Sequence, residues 1–171
     1  MSALRLGRLQ TENRATVSEM LEAAAVFSDD EISVALELFD EVHGVGAVAG
    51  PDYEFVGAFD EERLLGYGCF GPTPQTDGTF DLYWLVVHPS AQRRGVGRAL
   101  VQWVEEELAA RGARLLVVET SSREDYRHTR EFYTRSGYGE AARVRDFYAP
   151  ADDRIIFTTS LSVRERGVAT R

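Results

Sequence analysis

The residues best suited to chemistry stand together in Gln92-Arg93-Arg94-Gly95-Val96-Gly97-Arg98-Ala99. This segment lies between an apolar run, Phe80 to His88, and an amphipathic one, Gly95 to Arg111. A helix start exposes unpaired N–H groups and the positive end of the helix dipole. Glycines lack a Cβ, so backbone amides can approach an anion closely. Neighbouring arginines add charge-assisted bonds to phosphate oxygens. The segment therefore reads as a pyrophosphate cradle. A P-loop is excluded, because no Lys-Ser or Lys-Thr follows the glycines. A dinucleotide cradle is a second reading. Gly95 and Gly97 fill two of its three glycine positions, and Glu119 lies at a distance suited to a ribose contact. Against it, Leu100 takes the third position, and Ser90 to Arg94 make a long link from Pro89 to Gly95.

The elements that must position this loop follow from periodicity. Leu4 to Leu9 alternates enough for a first strand. Thr16/Glu19 and Ser28/Glu31 match the capping box, which predicts a helix pair over about 13–43. Tyr53–Phe59 and Arg63–Phe70 flank Asp60-Glu61-Glu62 as a hairpin. Phe80–His88 is a strand stopped by Pro89. In the next helix Val96, Leu100, Trp103, Val104 and Leu108 form one stripe, and Gly112 suits its C-terminal cap. Arg114–Thr120 is a buried strand, Arg123–Ser136 a helix, and Ala142–Tyr148 with Arg154–Leu161 a final antiparallel pair. Strand–helix–strand over 80–120 requires a parallel pair with a crossover. The expected fold class is α/β (α+β): a mixed, mainly antiparallel twisted sheet with a central parallel strand pair, flanked by helices.

Composition narrows the class. The chain has 171 residues, one domain's worth, with a core over about 4–161 and a tail of about 162–171. It lacks an apolar stretch of membrane-spanning length or an N-terminal signal core, which implies a soluble, cytoplasmic protein. One cysteine, Cys69, rules out an internal disulfide, and three scattered histidines argue against a metal site. All 19 basic residues are arginine. Sixteen acids face four arginines up to Gln92; twelve acids face fifteen arginines beyond it. Overall acidity argues against nucleic-acid binding.

Two motifs carry a resemblance. Val87 to Leu100 resembles the signature of the GNAT superfamily of acyl-CoA-dependent N-acyltransferases, Gln/Arg-x-x-Gly-x-Gly/Ala, which Gln92, Gly95 and Gly97 fill. Phe132-Tyr133-Thr134-Arg135-Ser136-Gly137-Tyr138 is similar to the family's aromatic-Tyr-x-x-x-Gly-Phe segment. The element order agrees over about 4–161. One departure is that Tyr126 and Thr129 stand where the family often has asparagine and alanine, so its asparagine contact to the pantetheine arm does not carry over.

The resemblance implies direct transfer of an acetyl group from acetyl-CoA to a primary amine of a small molecule or protein, without a metal. A non-catalytic acyl-CoA sensor on the same fold is the alternative. Donor contacts would come from Leu85, Val86, Val87 and the loop Gln92, Arg93, Arg94, Gly95, Val96, Gly97, Arg98 and Ala99. The strand holding Leu85–Val87 would splay from the one ending at Glu119-Thr120. Tyr133 is the candidate acid for the leaving thiolate, since a phenol's pKa lies near ~10. Asp81 and Glu119 compete as general base. Asp81 lies six residues before Val87, on its face by period two; Glu119 follows four apolar residues, which tends to raise a carboxylate. Water is the third option. Tyr53, Tyr67, Tyr83, Trp84 and Tyr126 could wall the acceptor or simply fill the core. His88 and His128 read as surface residues and Cys69 as a small core residue. Asp29, Asp30, Glu31, Glu37, Asp40 and Glu41 would attract a cationic acceptor or serve only as a solvated helix face. The expected partners are acetyl-CoA and an amine, with a homodimer left open and neither nucleic acid nor membrane.

Overall fold

The computed structural model describes residues 4–44 and 53–161. The expected tail, and the stretch 45–52 of the loop before the hairpin, lie outside them. Strand β1 (Arg5–Arg8) leads to helices α1 (Arg14–Ala24) and α2 (Asp29–His43). Strands β2 (Glu54–Asp60), β3 (Arg63–Pro72) and β4 (Thr79–Val87) form a meander. Helix α3 (Val96–Ala110) crosses to β5 (Leu115–Ser121), α4 (Arg127–Arg135) follows, and β6 (Gly139–Ala149) and β7 (Asp152–Ser160) close the order. The seven strands form one sheet in the order β1-β2-β3-β4-β5-β7-β6. Every neighbouring pair is antiparallel except β4–β5. This is the mixed sheet that the sequence implies.

The second capping box forms as read. Ser28 Oγ accepts from the Glu31 N–H at 3.3 Å, and the Glu31 carboxylate accepts from the Ser28 N–H at 2.8 Å. The first does not. A 3-10 turn at Thr11–Asn13 runs straight into α1, and the Gln10 N–H donates to Asn13 Oδ1 at 2.9 Å. The helix therefore starts at Arg14, and Thr16 lies inside it. The helix expected over Arg123–Ser136 also begins differently, with a 3-10 turn at Glu124–Tyr126 before α4. The Arg130 guanidinium bonds the Ser121 and Arg123 carbonyls at 2.8 and 2.7 Å, which ties this turn to the end of β5.

The sheet separates two apolar clusters. One, under α3 and α4, contains Phe70, Leu82, Val96, Leu100, Leu116, Val118, Tyr133, Ile155 and Phe157. The other, under α1 and α2, contains Val17, Leu21, Phe39, Phe55, Tyr67, Cys69 and Val86. Cys69 is fully buried in that second cluster.

Strand β4 takes part in both, and it changes register midway. Cys69 pairs with Trp84, but the next residue, Phe70, pairs with Leu82, so Tyr83 is an extra residue. Such a bulge kinks a strand and inverts its alternation. Phe80 and Leu82 face the α3–α4 cluster before it, and Leu85 and Val87 do so after it. Trp84 and Val86 face the α1–α2 side. The bulge also marks where the parallel pair ends. Pairing with β5 runs from Thr79–Leu115 to Leu82–Val118 and stops. Beyond Tyr83, β4 remains bonded to β3, while β5 remains bonded to β7 as far as Ser121. A gap thus opens between Tyr83–Val87 and Glu119–Ser121.

Candidate active site

The glycine loop stands at the mouth of this gap. His88 ends β4 with its N–H on the Leu65 carbonyl at 2.9 Å, and its ring Nδ1 lies 2.8 Å from Ser90 Oγ. It therefore fastens the turn Pro89–Ala91. Arg93 then adopts φ 61° and Gly95 φ 81°. The left-handed conformation costs a side-chain-bearing residue about 1–2 kcal/mol, which Gly95 avoids and Arg93 does not. With Gly95 as N-cap, α3 points its first free N–H groups into a cleft of about 370 Å³. Val87, Gln92, Arg93, Gly97, Arg98 and Phe132 are among its lining residues.

Gly97 is not required by the fold. It lies in ordinary helical conformation, and a Cβ there would meet Val87 and Phe132 only at 3.5–3.6 Å. That leaves open backbone beside the cleft, as close approach of a diphosphate requires. Arg93, Arg98 and Arg135 supply three guanidinium groups around it. The residues present fit the diphosphate of a CoA molecule.

Not every predicted donor residue reaches the cleft. Arg94 turns instead toward Asp60 of the β2–β3 hairpin, at 3.7 Å. Val86 is buried on the other face of the sheet, Leu85 packs against the α3–α4 cluster, and Ala99 lies one turn inside α3. Leu85 and Val86 border the gap through their backbone, and Val87 lines the cleft. The sequence reading missed Phe132, Arg135 and Ser136 of α4 and its cap, which also line it. They flank Tyr133 in the second motif, so that motif was a signal for the cleft as well as for the tyrosine.

Tyr133 is 3% exposed and sits in the α3–α4 cluster. Its ring stacks on Phe157 with centroids 6.1 Å apart, and meets Phe132 and Tyr138 edge-on. Burial pushes its phenol well above the ordinary value, so it stays protonated throughout the neutral range.

The two carboxylates sit otherwise than expected. Asp81 does not share the face of Val87, because the extra residue Tyr83 intervenes. It alternates with Phe80 and Leu82 and so points to the α1–α2 face, where Thr73 Oγ1 donates to it at 2.6 Å. Glu119 is exposed and ion-pairs with Arg154. Four apolar residues precede it, but the α1–α2 cluster includes no β5 residue among those described. Alternation with Val118 puts it on that same face. Both carboxylates therefore lie on one face of the sheet, and Tyr133 and the glycine loop on the other.

The aromatic candidates divide. Tyr67 and Trp84 belong to the α1–α2 cluster, where Trp84 meets Phe27 edge-on at 5.3 Å. Tyr53 and Tyr83 contact each other edge-on, also at 5.3 Å. Tyr126 is half-buried, its hydroxyl 3.5 Å from the Val26 carbonyl, and burial together with nearby Glu31 pushes it up to about 12. Of the acids on α2, Glu31 is committed to the cap and Asp40 to Arg14 at 2.5 Å, while Asp29 and Asp30 stand at the positive end of the helix dipole. His128 is exposed beside Glu131. Among the described residues no cluster of metal-ligating side chains occurs, and no helix is long and apolar enough to cross a membrane.

Residues 16–138 match the acetyltransferase (GNAT) family. The chain belongs to that family. A GNAT-family protein from Desulfovibrio desulfuricans is 39% identical, covers 94% of this chain and 100% of its own, and superposes with a TM-score of 0.87. The ribosomal-protein-S18-alanine N-acetyltransferase of Escherichia coli shares the GNAT fold at 20% identity, with 98% of this chain and 100% of that one covered and a TM-score of 0.75. An aminoglycoside 6′-N-acetyltransferase with coenzyme A bound does so at 19% identity, 94% and 98% coverage, and a TM-score of 0.73. No curated protein matches the chain.

Proposed function

We propose that this GNAT-family chain transfers the acetyl group of acetyl-CoA to a primary amine of a small molecule or a protein. One observation carries the reading: the gap between β4 and β5 opens directly onto the N-terminus of α3 with its uncovered glycine. The loop binds the diphosphate through backbone N–H groups and the guanidinium groups of Arg93 and Arg98. The donor's arm then runs into the gap beside Leu85–Val87. A protein of the same fold, an aminoglycoside 6′-N-acetyltransferase, is known with coenzyme A bound, which supports CoA as the carrier.

The division of groups between the two faces suits the chemistry. The thioester arrives from the α3–α4 side, where Tyr133 holds a proton for the departing thiolate. Burial weakens the phenol as an acid, but a thiolate forming in the same dry surroundings is raised too, so transfer stays feasible. The amine arrives from the α1–α2 side, where Asp81, Glu119 or a water they order takes its proton. The tetrahedral oxyanion is stabilised by N–H groups of β4 that β5 leaves unpaired. The acceptor is a cationic amine, drawn by an N-terminal half in which sixteen acids face four arginines. The test is a panel of amines with acetyl-CoA, read as thiol release, at two salt concentrations. Cationic amines should react best, with a KM that rises with salt. CoA binding without thiol release from any amine would instead make the chain a sensor.

A further inference from the structure

Thr120 is 5% exposed, and its hydroxyl has no hydrogen-bond partner. Buried polar groups rarely lack one, and the penalty for leaving a hydroxyl unpaired in a protein interior is substantial. Its position is specific. The last β4–β5 rung joins Leu82 to Val118, so Thr120 stands on the first stretch of β5 that β4 no longer covers. Its cross-strand neighbour on β7 is Ile155, and it alternates with Leu116 and Val118, so it lies on the α3–α4 face with Tyr133. Leu85 and Val87 occupy the opposite bank of the gap on that face. Tyr126, which takes the place of the asparagine discussed above, has its hydroxyl at the Val26 carbonyl. Ser121, the next residue, is bonded to Asp152. Among the described residues Tyr67 and Thr120 carry buried hydroxyls without a partner; Tyr67 lies in the α1–α2 cluster, and Thr120 borders the gap on the side of Tyr133.

We infer that the Thr120 hydroxyl is completed by the donor: it hydrogen-bonds an amide of the pantetheine arm as that arm enters between β4 and β5. The inference rests on the acyl-CoA reading above. A threonine hydroxyl both donates and accepts, so it can serve either polar atom of an amide. Because the partner is in the arm and not in the acetyl group, CoA itself serves as the probe.

The experiment measures CoA affinity by calorimetry, and ligand-free melting, for wild type, Thr120→Val and Thr120→Ser. Valine keeps the shape and removes the hydroxyl; serine keeps the hydroxyl. The expected result is three- to tenfold weaker CoA binding for Thr120→Val, Thr120→Ser within twofold of wild type, and a ligand-free melting temperature for Thr120→Val at or above that of wild type. Wild-type affinity in Thr120→Val overturns the inference and leaves the acyl-CoA reading standing. A melting temperature well below wild type in Thr120→Val also overturns it, because the hydroxyl then serves the fold. Absence of CoA binding by the wild-type protein overturns the acyl-CoA reading, and the inference with it.

Discussion

The two halves of β4 have the same apolar character and opposite fates. Thr79–Leu82 is held on both sides, by β3 and by β5, and its side chains alternate regularly. Tyr83–Val87 is held by β3 alone, its alternation is inverted, and across from it Thr120 has no partner. The first half behaves as sheet and the second as one bank of an open gap. A single extra residue separates them. Its effect is to put Asp81 on the face opposite Leu85 and Val87, the face that Glu119 reaches by the alternation of β5.

The largest effect should come from the phenol. Tyr133→Phe removes only a hydroxyl from α4 and should lower kcat by about 10²–10⁴-fold while CoA affinity stays unchanged. A kcat within twofold of wild type, with chemistry rate-limiting, would remove Tyr133 from the mechanism. Gly97→Asp should weaken CoA binding by about a hundredfold, since it sets a carboxylate where phosphate oxygens bond at ~1.5–3 kcal/mol each. Melting should barely change, because a Cβ at Gly97 meets its neighbours at ordinary distances.

A smaller effect separates the carboxylates. The base sets the acidic limb of the kcat/KM profile, because a protonated base accepts nothing. Either Asp81→Asn or Glu119→Gln should abolish that limb; its persistence in both would assign the proton to water.

The smallest expected effect lies away from the site and contrasts with it. Burial works to raise the Glu54 carboxyl, but bonds from Arg111 and Arg8 outweigh it and hold the carboxyl below its usual range. A carboxyl lowered on folding stabilises above its unfolded pKa, near ~4.3, and that stability is lost as pH falls through the folded value. Glu54→Gln should therefore melt a few degrees lower at pH 7, with the difference shrinking as pH falls below the unfolded value of ~4.3. CoA affinity at pH 7 should not move.

These contrasts show what the sequence could carry. The order of all eleven strands and α-helices was legible, because periodicities of two and 3.6 are written in which residues are apolar. The place of the glycine loop at the start of α3 was legible because an amphipathic stripe begins directly after Gly95. The bulge was not. Tyr83-Trp84-Leu85-Val86-Val87 is apolar throughout, so a shift by one residue leaves no trace in its pattern, and Asp81 was assigned to the wrong face. Glu119 misled for a related reason: the buried Leu116 and Val118 lie on the opposite face of β5, while Leu115 and Val117 on its own face are only half-buried and Glu119 is exposed. Arg94 looks equivalent to Arg93 in the sequence, but Asp60, far off along the chain, engages it.

As proposed, the gap beyond Tyr83 and the loop at Gly95–Gly97 form one binding site for a CoA thioester. A calorimetric titration of the wild-type protein with CoA, run beside NAD and ATP, tests it most directly. Saturable one-to-one binding of CoA is expected, with NAD and ATP far weaker. No heat with CoA, or tighter binding of NAD or ATP, would contradict it.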